Sequence, residues 1–94
     1  MATLTSTEVR DPTKLRLALQ EMLFDDVPRD LNPVYTDGEH LYGHIVDDEI
    51  LLWRLTPRDE EFGDLKFVLL PESELQDRTV LDMLEEAHRD DAWE

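Results

Sequence analysis

The sequence predicts an α+β protein: an N-terminal helix, a four-stranded antiparallel meander, and a C-terminal helix packed on one sheet face. Three observations predict this class. Apolar residues recur at helical spacing near both ends of the chain, β-forming residues are concentrated in 34–70, and strands do not alternate with helices. The 94 residues suit a single acidic domain over 1–94, and 1–10 has no periodicity, so we expect a flexible arm there.

The first helix is predicted over 12–24. Asp11 can cap its free N–H groups, and Pro12 suits the first helical position because no N–H is needed there. One face of this helix carries apolar residues at three- and four-residue steps: Leu15, Ala18, Leu19 and Met22. The next segment, 25–33, contains two prolines and three acidic residues and is expected to be a loop.

Two turns define the predicted sheet, and the first is Asp37-Gly38. This dipeptide favours a two-residue type I′ loop, because Gly adopts positive φ without steric cost and Asp tolerates it. Such a loop pairs Val34 with Leu41 on neighbouring antiparallel strands.

The second turn is predicted at Asp47-Asp48. It is the weaker of the two, because neither residue is Gly. A two-residue loop there pairs Ile45 with Ile50, whereas a shift of one residue would exchange the two faces of the third strand.

With these registers one sheet face is aliphatic and the other is aromatic and mixed. We expect the aliphatic face to be the core under a helix: Val34, Leu41, Ile45, Ile50 and Leu52. We expect the mixed face to be partly exposed: Tyr35, His40, Tyr42, His44, Val46, Leu51, Trp53 and Leu55. His40 and His44 are interpreted as cross-strand partners of Tyr35 and Leu51 rather than as a pH switch.

The fourth strand is predicted over 65–70, after a polar link over 56–64 in which Pro57 ends the third strand. The C-terminal helix is predicted over 73–89, bent near Asp77, with Ser73 or Asp77 as its cap. Its apolar stripe contains Val80, Leu81, Leu84, Ala87 and His88. Trp93 either folds back on the body or stands out as an anchor for a partner.

Charge is the dominant feature of the composition. The formal net charge is −15, with 24 acidic and 9 basic residues, and this disfavours binding to nucleic acids and anionic membranes. The chain has no cysteine, no apolar run long enough for a membrane span, and no secretion-type N-terminus. We therefore expect a cytoplasmic protein.

Catalytic and metal-binding patterns are lacking in the sequence. Ser6 lies in the expected arm and Ser73 at a helix cap, so neither predicts a nucleophile beside a base. His40 and His44 are four strand residues apart, about 13 Å, which is too far to ligate one ion. No enzyme activity, no cofactor and no metal are expected.

The favoured hypothesis is a non-catalytic regulatory protein that binds a protein with a basic surface. In its sharpest form it is an inhibitor that mimics nucleic acid in a nuclease or DNA-binding partner, with the charge and size of anti-CRISPR and antirestriction proteins but no family motif. The predicted partner-binding residues are Asp82, Glu85, Glu86, Asp90, Asp91, Asp59, Glu60, Glu61, Tyr42 and Trp53.

Three alternatives stay open. The first is an acidic chaperone or adaptor that binds a polypeptide through its sheet or an edge strand. The second is a halophilic domain whose acidity is only solvation, which the scarcity of lysine favours. The third is a homodimer formed through the mixed face or the fourth strand.

Overall fold

A computed structural model of the chain describes residues 4–23, 27, 28, 31, 33–58 and 61–93 and confirms the α+β class. The elements are β1 (Thr5–Thr7), α1 (Pro12–Leu23), β2 (Val34–Thr36), β3 (Leu41–Asp47), β4 (Glu49–Arg58), β5 (Glu61–Pro71), a 3₁₀ helix (Glu72–Gln76) and α2 (Val80–Asp90). Neither α1 nor α2 has the length and apolar character needed to cross a bilayer.

The sheet has five antiparallel strands in the order β1-β2-β3-β4-β5, one more than predicted. The additional strand lies in the expected flexible arm, where Thr5 pairs with Thr36 and Thr7 pairs with Val34. Leu4 is buried in the core beside it. Because β1 has only three residues, its local pattern is too short to be distinguished from a loop, and only the long-range pairing reveals it.

The β2–β3 connection is longer than the predicted two-residue loop. Tyr35 pairs with Tyr42 and Thr36 with Leu41, so four residues, 37–40, connect the strands. The register is displaced by two residues from the prediction. A displacement of two leaves the facing of every side chain unchanged, because strand side chains alternate with period two.

The β3–β4 register differs from the prediction by one residue. Asp47 pairs with Glu49, and Asp48 lies alone between them with a φ of 60°. Ile45 consequently pairs with Leu51, one residue beyond its predicted partner. The two-residue loop was wrong, and the shift exchanges the two faces of β4.

β4 continues through Pro57, which pairs with Phe62 of β5, so the predicted strand end and the link over 56–64 were wrong. β3 begins at Leu41, opposite Leu55. Pro57 therefore lies where β4 has a neighbouring strand on one side only, which is a position that tolerates proline.

A bulge in β5 follows this region. Two residues of β5, Asp64 and Leu65, face the single residue Leu55 of β4, and Asp64 has a φ of 52°. Arg58 forms an ion pair with Asp64 across the two strands.

Both sheet faces have a buried core, so the expectation of a partly exposed mixed face was wrong. The α1 side has a core of Leu15, Leu19, Val27, Leu31, Val34, Trp53 and Leu55. The α2 side has a core of Leu4, Tyr42, Ile50, Leu52, Met83 and Leu84. The exchange of faces in β4 places Ile50 and Leu52 under α2, whereas Trp53 and Leu55 lie under α1.

α1 begins as predicted. The Asp11 carboxylate accepts a hydrogen bond from the backbone N–H of Lys14 at 3.1 Å, and Leu15 N–H donates to the Asp11 carbonyl. The predicted last residue, Phe24, and most of the predicted loop 25–33 lie outside the described residues.

The predicted C-terminal helix is two helices. The 3₁₀ helix is followed by α2, which is capped by Thr79 rather than by Ser73 or Asp77. The Thr79 hydroxyl accepts from the backbone N–H of Asp82 at 3.2 Å, and the Asp82 carboxylate accepts from the backbone N–H of Thr79 at 3.4 Å. Beyond α2 the chain folds back, so that Trp93 packs on the α2-side core.

Candidate functional site

Tyr42 and Trp53 were predicted to share an exposed face, and the structure corrects this. Both side chains are buried, with 0 % of their surface exposed. They also point to opposite sides of the sheet, Tyr42 toward α2 and Trp53 toward α1. In this fold neither residue is accessible to a partner, and both belong to the core.

Trp53 is accommodated by a glycine directly across the strand pair. Gly43 is its Cα partner in β3, and the indole lies over the position where a side chain would begin. A Cβ atom built on Gly43 would lie 2.2 Å from Trp53 Cζ2. Gly43 is therefore required for close approach rather than for a special backbone conformation.

A polar cluster centred on the half-buried Asp37 lies beside the α2-side core. Its Oδ1 accepts hydrogen bonds from the backbone N–H groups of Glu39 and His40, both at 2.8 Å. Its Oδ2 accepts the hydroxyl proton of Tyr42 at 2.7 Å and lies 3.4 Å from His40 Nδ1 and 3.9 Å from His88 Nδ1. The local hydrogen bonds that Asp37 accepts replace the type I′ geometry predicted for the turn.

The hydrogen bonds assign a tautomer to His88. Tyr42 has one hydroxyl proton, and it is donated to Asp37. The 3.1 Å contact between the Tyr42 oxygen and His88 Nδ1 then requires the proton to be on Nδ1. His88 consequently donates to Tyr42, which leaves its Nε2 as the second ring nitrogen.

The surroundings of the cluster move two pKa values in opposite directions. Burial alone raises the pKa of the Asp37 carboxyl, but the hydrogen bonds from His40 N–H, the Tyr42 hydroxyl and Glu39 N–H outweigh it and hold the pKa well below its usual range. Burial, together with the bond to the charged Asp37, raises the pKa of Tyr42 well above its usual range. Asp37 is therefore ionised and Tyr42 protonated at neutral pH.

These protonation states favour an architectural role for the cluster. A tyrosine with a raised pKa is a poor base and a poor nucleophile, because it holds its proton at neutral pH. Tyr42 instead links the β2–β3 turn, through Asp37, to α2, through His88. Within the described ranges no three His, Asp or Glu side chains are arranged to hold a metal ion.

The predicted partners of the other two histidines were wrong. His44 pairs with Leu52 rather than with Leu51, and burial lowers the pKa of its ring. His40 lies outside the strands and points toward Asp37 rather than toward Tyr35.

The predicted acidic residues lie in different settings. Asp59 and Glu60 are outside the described residues, and Glu61 is exposed at the start of β5. Asp82 is occupied in the α2 cap, and Glu86 forms an ion pair with Arg78. The remaining members of the predicted set lie on or just beyond α2: Glu85 half-buried, Asp90 and Asp91 exposed.

The Asp37 cluster was not predicted from the sequence. The only local indication was an Asp at the start of a turn, which can accept from backbone N–H groups two or three residues ahead. The Asp37–Tyr42 and Tyr42–His88 hydrogen bonds span five and 46 residues of the chain, so no short motif contains the whole cluster.

Comparison of the chain with protein-family models, with curated proteins and with solved structures found no match.

Proposed function

We propose that this protein is a non-catalytic regulatory protein of the cytoplasm whose acidic surface binds a basic surface of a protein partner. The observation that supports it is an excess of 15 negative charges on a fold whose two sheet faces are both covered. Such a fold presents mainly its charged outer surface, and a one-sign surface steers association with an oppositely charged protein.

The acidic end of α2, defined as Glu85, Asp90 and Asp91, is the candidate docking region. The capping box and the Arg78 ion pair occupy Asp82 and Glu86, and Arg89 Nε lies 3.9 Å from Asp90 on the solvent side. In the sharper form of the proposal, these carboxylates take the place of phosphates in the basic channel of a nuclease or DNA-binding protein.

The test compares two variants with the same change in charge. Glu85→Gln/Asp90→Asn/Asp91→Asn neutralises the acidic end of α2 and leaves the capping box intact. Glu8→Gln/Glu21→Gln/Glu39→Gln neutralises three exposed acids elsewhere. Both variants and the wild type are used to capture partners from host lysate, at about 0.01 M and about 1 M salt, where the Debye lengths are roughly 30 and 3 Å.

We expect the wild type and the second variant to capture the same basic protein at low salt, and the α2 variant to lose it. A nuclease or DNA-binding protein among the captured species supports the mimic form. Equal loss of the captured protein in both variants would show that capture depends on net charge and not on the acidic end of α2. If circular dichroism also shows that folding requires high salt, the acidity is solvation and the proposal is wrong.

A further inference from the structure

β5 forms a long open edge of the sheet. The strand order ends at β5, and none of the described strands pairs with its outer side. It has eleven residues, whereas β1 at the opposite edge has three. An edge strand presents a row of backbone N–H and C=O groups that pair only with water or with an added strand. The regular part of β5 beyond the bulge, 66–71, therefore provides a template for strand addition.

The side chains in the C-terminal part of this edge, 67–70, are apolar. Leu69 is 53 % exposed, and its neighbours Phe67, Val68 and Leu70 are half-buried. Lys66 is the one base in the segment 65–71 and is exposed. An added strand would cover Leu69 while its backbone satisfies the open edge.

Charge identifies the kind of strand that fits. Glu49 pairs with Pro71, so the acidic β3–β4 turn lies beside the C-terminal end of β5. Asp47, Asp48, Glu49 and Glu72 are all exposed there, and no ion pair within the described part of the chain joins them to a base. A second copy of this chain brings another 15 negative charges and is repelled, whereas a basic segment is attracted.

We propose that the outer edge of β5 binds an extended segment of a partner polypeptide, with apolar residues at alternate positions and lysine or arginine near Pro71. The inference rests on the proposed function, since both require a basic partner, and it adds a second contact, at the sheet edge, with its mode of binding. The backbone of the segment pairs with β5, its apolar side chains cover Leu69, and its bases lie beside the acidic turn.

The test uses a short synthetic peptide of alternating valine and lysine and the full-length protein. The control peptide has the same sequence and charge, but alternate backbone amides are N-methylated, which removes the donors needed for strand pairing. We expect the unmodified peptide to bind at least about tenfold more tightly than the methylated one. Amide hydrogen exchange should slow at alternate residues of β5, those whose N–H groups point away from β4.

A pair of protein variants tests the side-chain contact. Leu69→Thr removes apolar surface but keeps a strand-forming residue. Leu17→Gln removes apolar surface on α1, where Leu17 is 55 % exposed, but keeps a helix-forming residue. We expect Leu69→Thr to weaken peptide binding about tenfold and Leu17→Gln to leave it unchanged.

Three results would overturn the proposal. Equal affinity for the two peptides would show attraction by charge without strand pairing, which leaves the acidic surface as the docking site. Failure of both peptides to bind folded protein would remove the edge site, while the α2 variants still decide the proposed function separately. Slow exchange on β5 in the protein alone, with a dimer in analytical ultracentrifugation, would identify a second copy as the occupant.

Discussion

Replacing Gly43 with alanine should destabilise the protein strongly, although alanine is usually a mild substitution. The new Cβ would lie 2.2 Å from Trp53 Cζ2 and 2.6 Å from Cε2. Carbon atoms pack best at about 3.5–4.0 Å, so either the indole or the β3 backbone has to move by more than about 1 Å. Trp53 has no exposed surface and packs within the α1-side core.

The size of the effect follows from the cost of overpacking. Insertion of a methyl group into a well-packed core costs about 1–3 kcal/mol, and we expect the upper end here because the clash involves a rigid ring and backbone. At about 0.05–0.15 kcal/mol per residue, a chain of 94 residues has a free energy of unfolding of about 5–14 kcal/mol. A loss of about 3 kcal/mol lowers the Tm by roughly 12–24 °C.

Urea denaturation followed by circular dichroism and tryptophan fluorescence measures this change. Gly63→Ala is the matched control, because it is also a strand glycine and the nearest atom to its added Cβ is 3.6 Å away. It should be neutral or stabilise by up to about 1 kcal/mol through the unfolded chain. Trp53→Leu tests whether the indole causes the clash, since Gly43→Ala should reduce the free energy of unfolding less in a protein that already carries Trp53→Leu.

The reasoning would be refuted by a Gly43→Ala variant within about 0.5 kcal/mol of wild type. Equal costs of Gly43→Ala with and without Trp53→Leu would also contradict it, because the clash would then not involve the indole. Either result would mean that the Trp53 indole does not lie as close to Gly43 as the structure places it.

Two further predictions concern the Asp37 cluster. Because the folded state lowers the pKa of Asp37, its stabilising contribution is present above about pH 4 and is lost as the pH falls below that value. Urea denaturation should therefore show wild type losing more stability than Asp37→Asn between about pH 7 and about pH 3, and equal losses would contradict the assignment. The neutral His88 ring should carry its proton on Nδ1, which its ¹⁵N chemical shifts would detect. Tyr42→Phe removes the acceptor oxygen, so the Nδ1 tautomer should no longer be favoured in that variant. A proton on Nε2 in the wild type would refute the hydrogen-bond assignment.

The candidate site was only partly predictable. The acidic residues of α2 are visible in the sequence, because a charged stripe opposite an apolar stripe defines the outer face of a helix. The burial of Tyr42 and Trp53 could not be predicted from the sequence. They lie on central strands that are buried on both faces, and such strands do not alternate between apolar and polar residues.

The sequence by itself determined the antiparallel α+β class, the start of α1 at Asp11-Pro12 and the approximate positions of both turns, although not their lengths. The class follows from the pattern of apolar residues along the chain, whereas a helix start depends on neighbouring residues, such as the Asp11 cap. The tertiary structure decided the pairing of β1, the single-residue turn at Asp48 and the placement of one helix on each face. The β3–β4 register is the one that packs Trp53 against Gly43 and Ile50 under α2. Contacts of this kind join residues that are far apart in the chain, so no short segment of sequence specifies them.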